Sequence, residues 1–207
     1  MLQVFGWLSL ATVGIYLVLF FLGGAQAARA AGRPIWLFGA AQGRDRLAAI
    51  GFRAAFAFSA LGPLLWSALP ALHKLDPLWS EGRWLALGIA GAFLAAAGAV
   101  LALAAQRAMG ASWRVGVKAG ETGALVKGGL FRLSRNPTFL GQLLLLTGVA
   151  LAIPSLPTLA GVILFFWSAS VQIQSEEAAL SEANGASYDA FRRSVPRWIG
   201  WPGKAHQ

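Results

Sequence analysis

The 207-residue sequence contains no cysteine, so neither a disulfide nor a thiolate metal site is open to it. Histidine is nearly as scarce: His73 and His206 stand too far apart in the chain for a metal cluster, and no metal is expected. Charge is thin, at 12% of residues against about 25% in an ordinary soluble domain. Acidic residues number only 8 against 17 lysines and arginines, a net charge of +9. No Gly-x-Gly-x-x-Gly follows a strand-like run and no β/α alternation is visible, which argues against a soluble nucleotide-binding fold. Met1 to Phe20 carries no charged side chain, so the basic region of a signal or transit peptide is missing. What is plentiful is apolar surface. Hydrophobic residues make up 57% of the chain and fall in runs long enough to span a bilayer, so an integral membrane protein is expected. In that setting the excess positive charge reads as positive-inside topology and attraction to anionic lipid, with no nucleic-acid partner.

The expected fold is all-α, a polytopic bundle of five transmembrane helices with a C-terminal helical hairpin and an interfacial helical tail. The runs are Leu2 to Gly24, Leu47 to Leu72 (bent or ended by Pro63 and Pro70), Trp84 to Ala105, Pro137 to Ile153 and Thr158 to Gln172. Pro154-Ser155-Leu156-Pro157 leaves room only for a tight turn, so the last two runs form the hairpin. Residues 1–105 are thus a three-span N-terminal region, and residues 106–207 hold a polar loop, the hairpin and the tail. In the tail, Leu180, Tyr188, Phe191 and Val195 recur near helical spacing, with a break at Asn184-Gly185. The loop 25–46, the loop 106–136 and the tail carry 14 of the 17 cationic side chains. Five spans place all three on one side, which the positive-inside rule makes cytoplasmic, with the N-terminus outside; a bacterial inner membrane is the expected location.

One stretch organises the second half: Arg135-Asn136-Pro137-Thr138-Phe139-Leu140-Gly141, where a basic loop meets an apolar run. Asn136 suits a helix N-cap, and Pro137 suits the first helical position. Free N–H groups, the positive helix end and Arg135 then converge on a place suited to an anionic group. The hairpin geometry brings Glu176-Glu177, just past the fifth span, to the same height.

These residues carry a resemblance. Gly123 to Phe131, then Arg135-Asn136-Pro137-Thr138-Phe139-Leu140-Gly141, and later Glu176-Glu177-Ala178-Ala179-Leu180, Gly185, Tyr188, Phe191 and Val195-Pro196-Arg197 resemble the isoprenylcysteine carboxyl methyltransferase family and its phospholipid methyltransferase relatives. The likeness covers residues 109 to 199, about half the chain. It implies an S-adenosylmethionine-dependent membrane methyltransferase acting on a lipid or lipophilic small molecule at the cytoplasmic face. By position it implies that Leu125, Val126, Gly129, Phe131, Asn136, Pro137, Phe139, Leu140 and Tyr188 bind the cofactor. It implies catalytic roles for Glu176, Arg135 and Gln172, with Glu176 orienting or deprotonating the acceptor. One departure matters: where the isoprenylcysteine enzymes have an arginine four residues before the first glutamate, this chain has Gln172, which can hydrogen-bond but cannot neutralise a carboxylate. That leaves an amine head group, a thiol or another small amphiphile open beside an isoprenylcysteine-like carboxylate.

Two further side chains have two readings each. Arg53, inside the second run, either snorkels to the surface or contacts substrate. Trp113 is either an interfacial anchor or part of the site, and is carried with Arg53 as a candidate substrate contact. The competing class for the whole chain is a non-enzymatic scaffold or small transporter subunit. A transporter should place ionisable groups or broken helices near the membrane midplane, and Arg53 alone is charged within the runs.

Overall fold

The computed structural model describes residues 2–37, 39, 41–69, 71, 75–76, 78, 85–115 and 125–200. His73, His206, Lys118 and the Gly123-Ala124 start of the cofactor-like segment lie outside the described residues. Six helices follow in order: α1 Leu2–Ala31, α2 Gly43–Ala68, α3 Leu85–Met109, α4 Pro137–Ala152, α5 Leu156–Asn184 and α6 Ala186–Ser194. Among the described residues β structure is limited to one isolated parallel bridge, Trp36 to Val115. The helices α1, α2, α3 and α5 are long and apolar enough to cross a membrane. The fourth expected run is shorter: α4 has 16 residues, about 24 Å at 1.5 Å per residue, against a bilayer core of about 30 Å.

Helix ends differ from the hydropathy boundaries for local reasons. Helix α1 runs on from Gly24 to Ala31 because Ala25-Gln26-Ala27-Ala28-Arg29-Ala30-Ala31 is built of strong helix formers, polar or not. Helix α5 likewise passes Gln172 and carries Glu176 and Glu177 on its continuation to Asn184. It stops at Gly185, whose φ of 48° closes the helix, and α6 starts at the next residue. Pro63 does not end α2, which continues to Ala68.

The pairing of helices departs from the expected hairpin. Although α4 and α5 are joined by a tight turn, α4 packs chiefly on α3 and α5 chiefly on α2. The α3–α4 contact is backbone against backbone. A Cβ added at Gly91 would stand 2.6 Å from the Gly148 carbonyl oxygen, and one at Gly98 would stand 2.6 Å from that of Gly141. Both glycine pairs are spaced by seven residues, so they stay on one stripe of each helix. In lipid such close approach gains dispersion energy that bulkier side chains would forbid. The Ala/Gly-rich face of α3, which the sequence alone leaves free for a dimer, is therefore covered by α4. Small residues mediate the second pair too: a Cβ at Gly161 of α5 would lie 2.9 Å from the Ala55 carbonyl of α2.

At the end of the bundle that carries Asn136 and Glu176, two loops are tied together. Leu37 N–H donates to the Val115 carbonyl and Val115 N–H to the Ile35 carbonyl, both at 2.8 Å. The Gln106 side chain joins α3 to α1 by donating to the Phe20 carbonyl at 2.9 Å. These bonds hold Trp113 and Arg114 against the helix ends.

Candidate active site

A pocket opens among the ends of α3, α4 and α5, roofed by α6 and floored by α1 and α2, and holds about 970 Å³ including its mouth. Its aliphatic and aromatic wall comes from the loop and tail. Phe131, Tyr188, Phe191 and Val195 form a buried cluster with Met109, Leu125, Val126 and Leu180 against it, so α6 docks on the segment just before α4. Gly129, with φ of 56°, lets the chain turn into the short 3-10 segment Gly129–Arg132 that presents Phe131.

The polar wall consists of two ion pairs side by side. Arg114 Nη2 meets Glu176 Oε1 at 3.0 Å, and Arg135 Nη1 meets Glu177 Oε1 at 3.0 Å. Arg197 closes on Glu177 from the solvent side through both carboxylate oxygens, at 3.0 Å and 2.6 Å. The Arg114 and Arg135 side chains are 4% and 9% exposed, so each guanidinium depends on its carboxylate for charge balance. Arg135 also donates to the Tyr188 hydroxyl at 3.2 Å. Burial first, and then the charge of Glu177, push the Tyr188 phenol above its ordinary range against the opposing pull of Arg135, so it stays protonated at neutral pH.

Asn136 does not act as the sequence suggests. It is the residue before α4, but its side chain makes no capping bond; the amide donates instead to the Arg197 carbonyl at 2.9 Å. The Ser134 hydroxyl and the Arg135 N–H reach the same tail strand, at the carbonyls of Arg197 and Pro196. Asn136 therefore fastens the Val195-Pro196-Arg197 segment to the start of α4, whose first turn is left uncapped by it.

Several buried polar atoms in this pocket have no partner: Trp113 Nε1, Arg135 Nε, Thr138 Oγ1, Gln142 Oε1 and Gln172 Nε2. Native chains rarely leave such groups unpaired, and their gathering in one cavity is what a ligand site requires. Thr138 and Gln142 lie one turn apart on α4, and Gln172 lies on α5 one turn before the paired Glu176, all lining the one pocket.

Of the residues singled out in the sequence, the structure brings Glu176, Gln172, Arg135, Leu125, Val126, Phe131, Asn136, Pro137, Phe139, Tyr188 and Trp113 to this pocket. Gly129 shapes the loop without lining the cavity, and Leu140 lies outside it on α4. Arg53 sits on an exposed face of α2, away from the pocket. Sequence reading weighed Arg114 with Trp113 as an anchor or part of the site, and it missed Thr138, Gln142, Phe20 and Phe52 as wall residues. Only Gln142 left a signal: an amide in the middle of an otherwise apolar helix.

The model of the phospholipid methyltransferase family matches residues 87–187. No curated protein and no solved structure matches the chain significantly. The phospholipid methyltransferase segment holds α3, α4, α5 and both ion pairs, but Tyr188, Phe191 and Arg197, like Phe20 and Phe52, come from outside it. The match, together with four helices long and apolar enough to cross a membrane, supports an integral membrane protein of the methyltransferase kind. Among the described residues no group of histidines or carboxylates could hold a metal ion.

Proposed function

We propose that the chain is a five-span, S-adenosylmethionine-dependent methyltransferase that modifies a lipophilic acceptor at the cytoplasmic face. The observation that carries this reading is the set of unpartnered polar atoms gathered in the pocket that the two ion pairs line, in a segment that matches a methyltransferase family. S-adenosylmethionine, when bound, supplies a methyl group on a sulfonium whose departure leaves a neutral thioether. The residues fit such a molecule. Arg135 Nε and the uncapped first turn of α4 suit its carboxylate, Glu177 or Glu176 its ammonium, and the Phe131–Tyr188–Phe191 wall a flat heteroaromatic ring. Leu125, Val126, Pro137 and Phe139 complete that enclosure, and Asn136 holds the tail over it.

Glu176, set between Arg114 and the pocket, orients the acceptor and takes its proton where it has one to lose. Gln172, one turn deeper, donates to the acceptor's head group. The contribution of the enclosure is alignment and exclusion of water. The acceptor's apolar part reaches the pocket from the lipid side, where Phe20 and Phe52 line its floor.

In this reading α4 is the fourth of five spans, its shortness met by local thinning or snorkelling at its ends. The N-terminus is outside and the tail inside. Single cysteines placed at Gln26 and Ser194 should both be shielded from an impermeant thiol reagent added outside, and the natural lack of cysteine leaves no background label. The central test is S-adenosylmethionine binding to the detergent-solubilised protein by calorimetry or thermal shift, followed by labelled-methyl transfer into membrane lipids. No heat and no shift at millimolar concentration would favour a non-enzymatic scaffold.

A further inference from the structure

Beyond the ion pairs the pocket wall changes from charged to amide. Gln142 of α4 is 1% exposed, and its Nε2 donates to the Tyr16 hydroxyl at 2.6 Å. Tyr16 belongs to α1 and is equally buried; its ring stacks on Phe56 at 5.9 Å and leans on Phe20 at 5.6 Å. Phe20 in turn meets Trp113 edge-on at 5.7 Å. The tyrosine is therefore wedged in an aromatic stack, and it holds one end of the Gln142 amide. The other end, Oε1, is buried without a partner in a residue that lines the pocket. Gln172 of α5 lines the same pocket, and its Nε2 is buried without a partner as well.

We infer that Tyr16 is a positioning residue: it fixes the Gln142 carbonyl as a hydrogen-bond acceptor for the methyl acceptor's head group, which is uncharged and carries an N–H or O–H hydrogen. The inference rests on the methyltransferase reading above for what occupies the pocket. Its chemistry is complementarity. A carbonyl oxygen on one side demands a donor and an amide N–H on the other demands a lone pair, and an alcohol or a neutral amine offers both. A carboxylate offers no hydrogen and would set its oxygens against Gln142 Oε1. Nor is a free cation placed at this depth, since Arg114 faces Glu176 and Arg135 faces Glu177. Tyr16 lies outside residues 87–187, so α1 brings a selectivity element that the family segment does not contain.

The test uses the full chain in nanodiscs and three probes with one alkyl chain: 1-decanol, decyl methyl ether and decanoate. Binding is measured by calorimetry, with and without S-adenosylmethionine. Wild type should prefer decanol over the ether by about tenfold or more, because the ether leaves Gln142 unpaired. Gln142→Met, which keeps the packing volume, should erase that preference. Tyr16→Phe should reduce it severalfold, and the double variant should behave as Gln142→Met alone, since Tyr16 acts through the amide. A purely structural tyrosine would instead lower affinity for both probes alike and add its loss to that of Gln142→Met. Equal binding of decanol and ether by wild type, decanoate bound as tightly as decanol, or additive losses in the double variant would each overturn the inference. Absence of S-adenosylmethionine binding with the decanol preference intact would defeat the methyltransferase reading and leave the Tyr16–Gln142 device standing.

Discussion

Helices α4 and α5 both begin with a polar residue followed closely by proline, Asn136-Pro137 in one and Ser155-Leu156-Pro157 in the other, yet their starts are finished differently. At α5 everything is paired. The Ser155 hydroxyl accepts from the Thr158 N–H, the Thr158 hydroxyl accepts from the Ser155 N–H at 3.1 Å, and the Asp76 carboxylate reaches across to accept from the Leu156 N–H at 2.7 Å. At α4 the residue in the capping position turns away to the tail, and Arg135 and Thr138 beside it keep buried atoms without partners. The start of α5 is closed by its own chain, whereas that of α4 is left incomplete, and under the function proposed above its missing partners are supplied by the ligand.

The comparison can be broken most severely at Glu177, which balances Arg135. Glu177→Gln should lower stability by about 3–5 kcal/mol, the usual cost of orphaning a buried charge, and abolish cofactor binding, as read by thermal melting with and without S-adenosylmethionine. Glu176→Gln orphans Arg114 in the same way, so a loss of about 3–5 kcal/mol in melting should accompany a fall of about 100-fold in methyl transfer by the protein that still inserts; wild-type turnover would remove Glu176 from the site. Asn136→Ala releases the tail, so cofactor affinity should fall about tenfold, with a stability loss near 1 kcal/mol. Ser155→Ala should cost a similar ~1 kcal/mol in melting but leave binding untouched, which is the contrast in its sharpest form. The smallest effect is at high pH. Because the folded Tyr188 phenol titrates above its ordinary value of 10.0, its share of stability is intact below about pH 10 and declines as pH rises through the folded value. Tyr188→Phe should flatten that decline in a pH series of melting points.

Much of this was legible from residue order. Apolar runs gave the helices, Pro154 to Pro157 the turn, and Asn184-Gly185 the break before α6. The meeting of Arg135 with the acidic pair followed from placing residues 137 and 174 at one height, and the structure brings Arg135 to Glu177. The partner choice of the helices was not legible in the same way. Hydropathy says how far a run extends and nothing about which neighbour it prefers, so the tight turn suggested a closed hairpin where α3 and α2 are the preferred partners. The seven-residue spacing of Gly91 with Gly98 and of Gly141 with Gly148 held that information. Asn136 misled because capping propensity is a local average, whereas a tail some sixty residues later supplies a competing carbonyl. Tyr16 and Gln142 are 126 positions apart, and nothing in either run alone predicts their bond.

The glycine interlock of α3 with α4 has a mechanical corollary. With α4 locked chiefly to one neighbour and α5 to another, the seam between the two helix pairs passes through the pocket. The amide of Gln142 rides on one pair and Gln172 with both glutamates on the other. Both ion pairs, Arg114 with Glu176 and Arg135 with Glu177, cross that seam, so the charges that line the pocket also rivet one helix pair to the other.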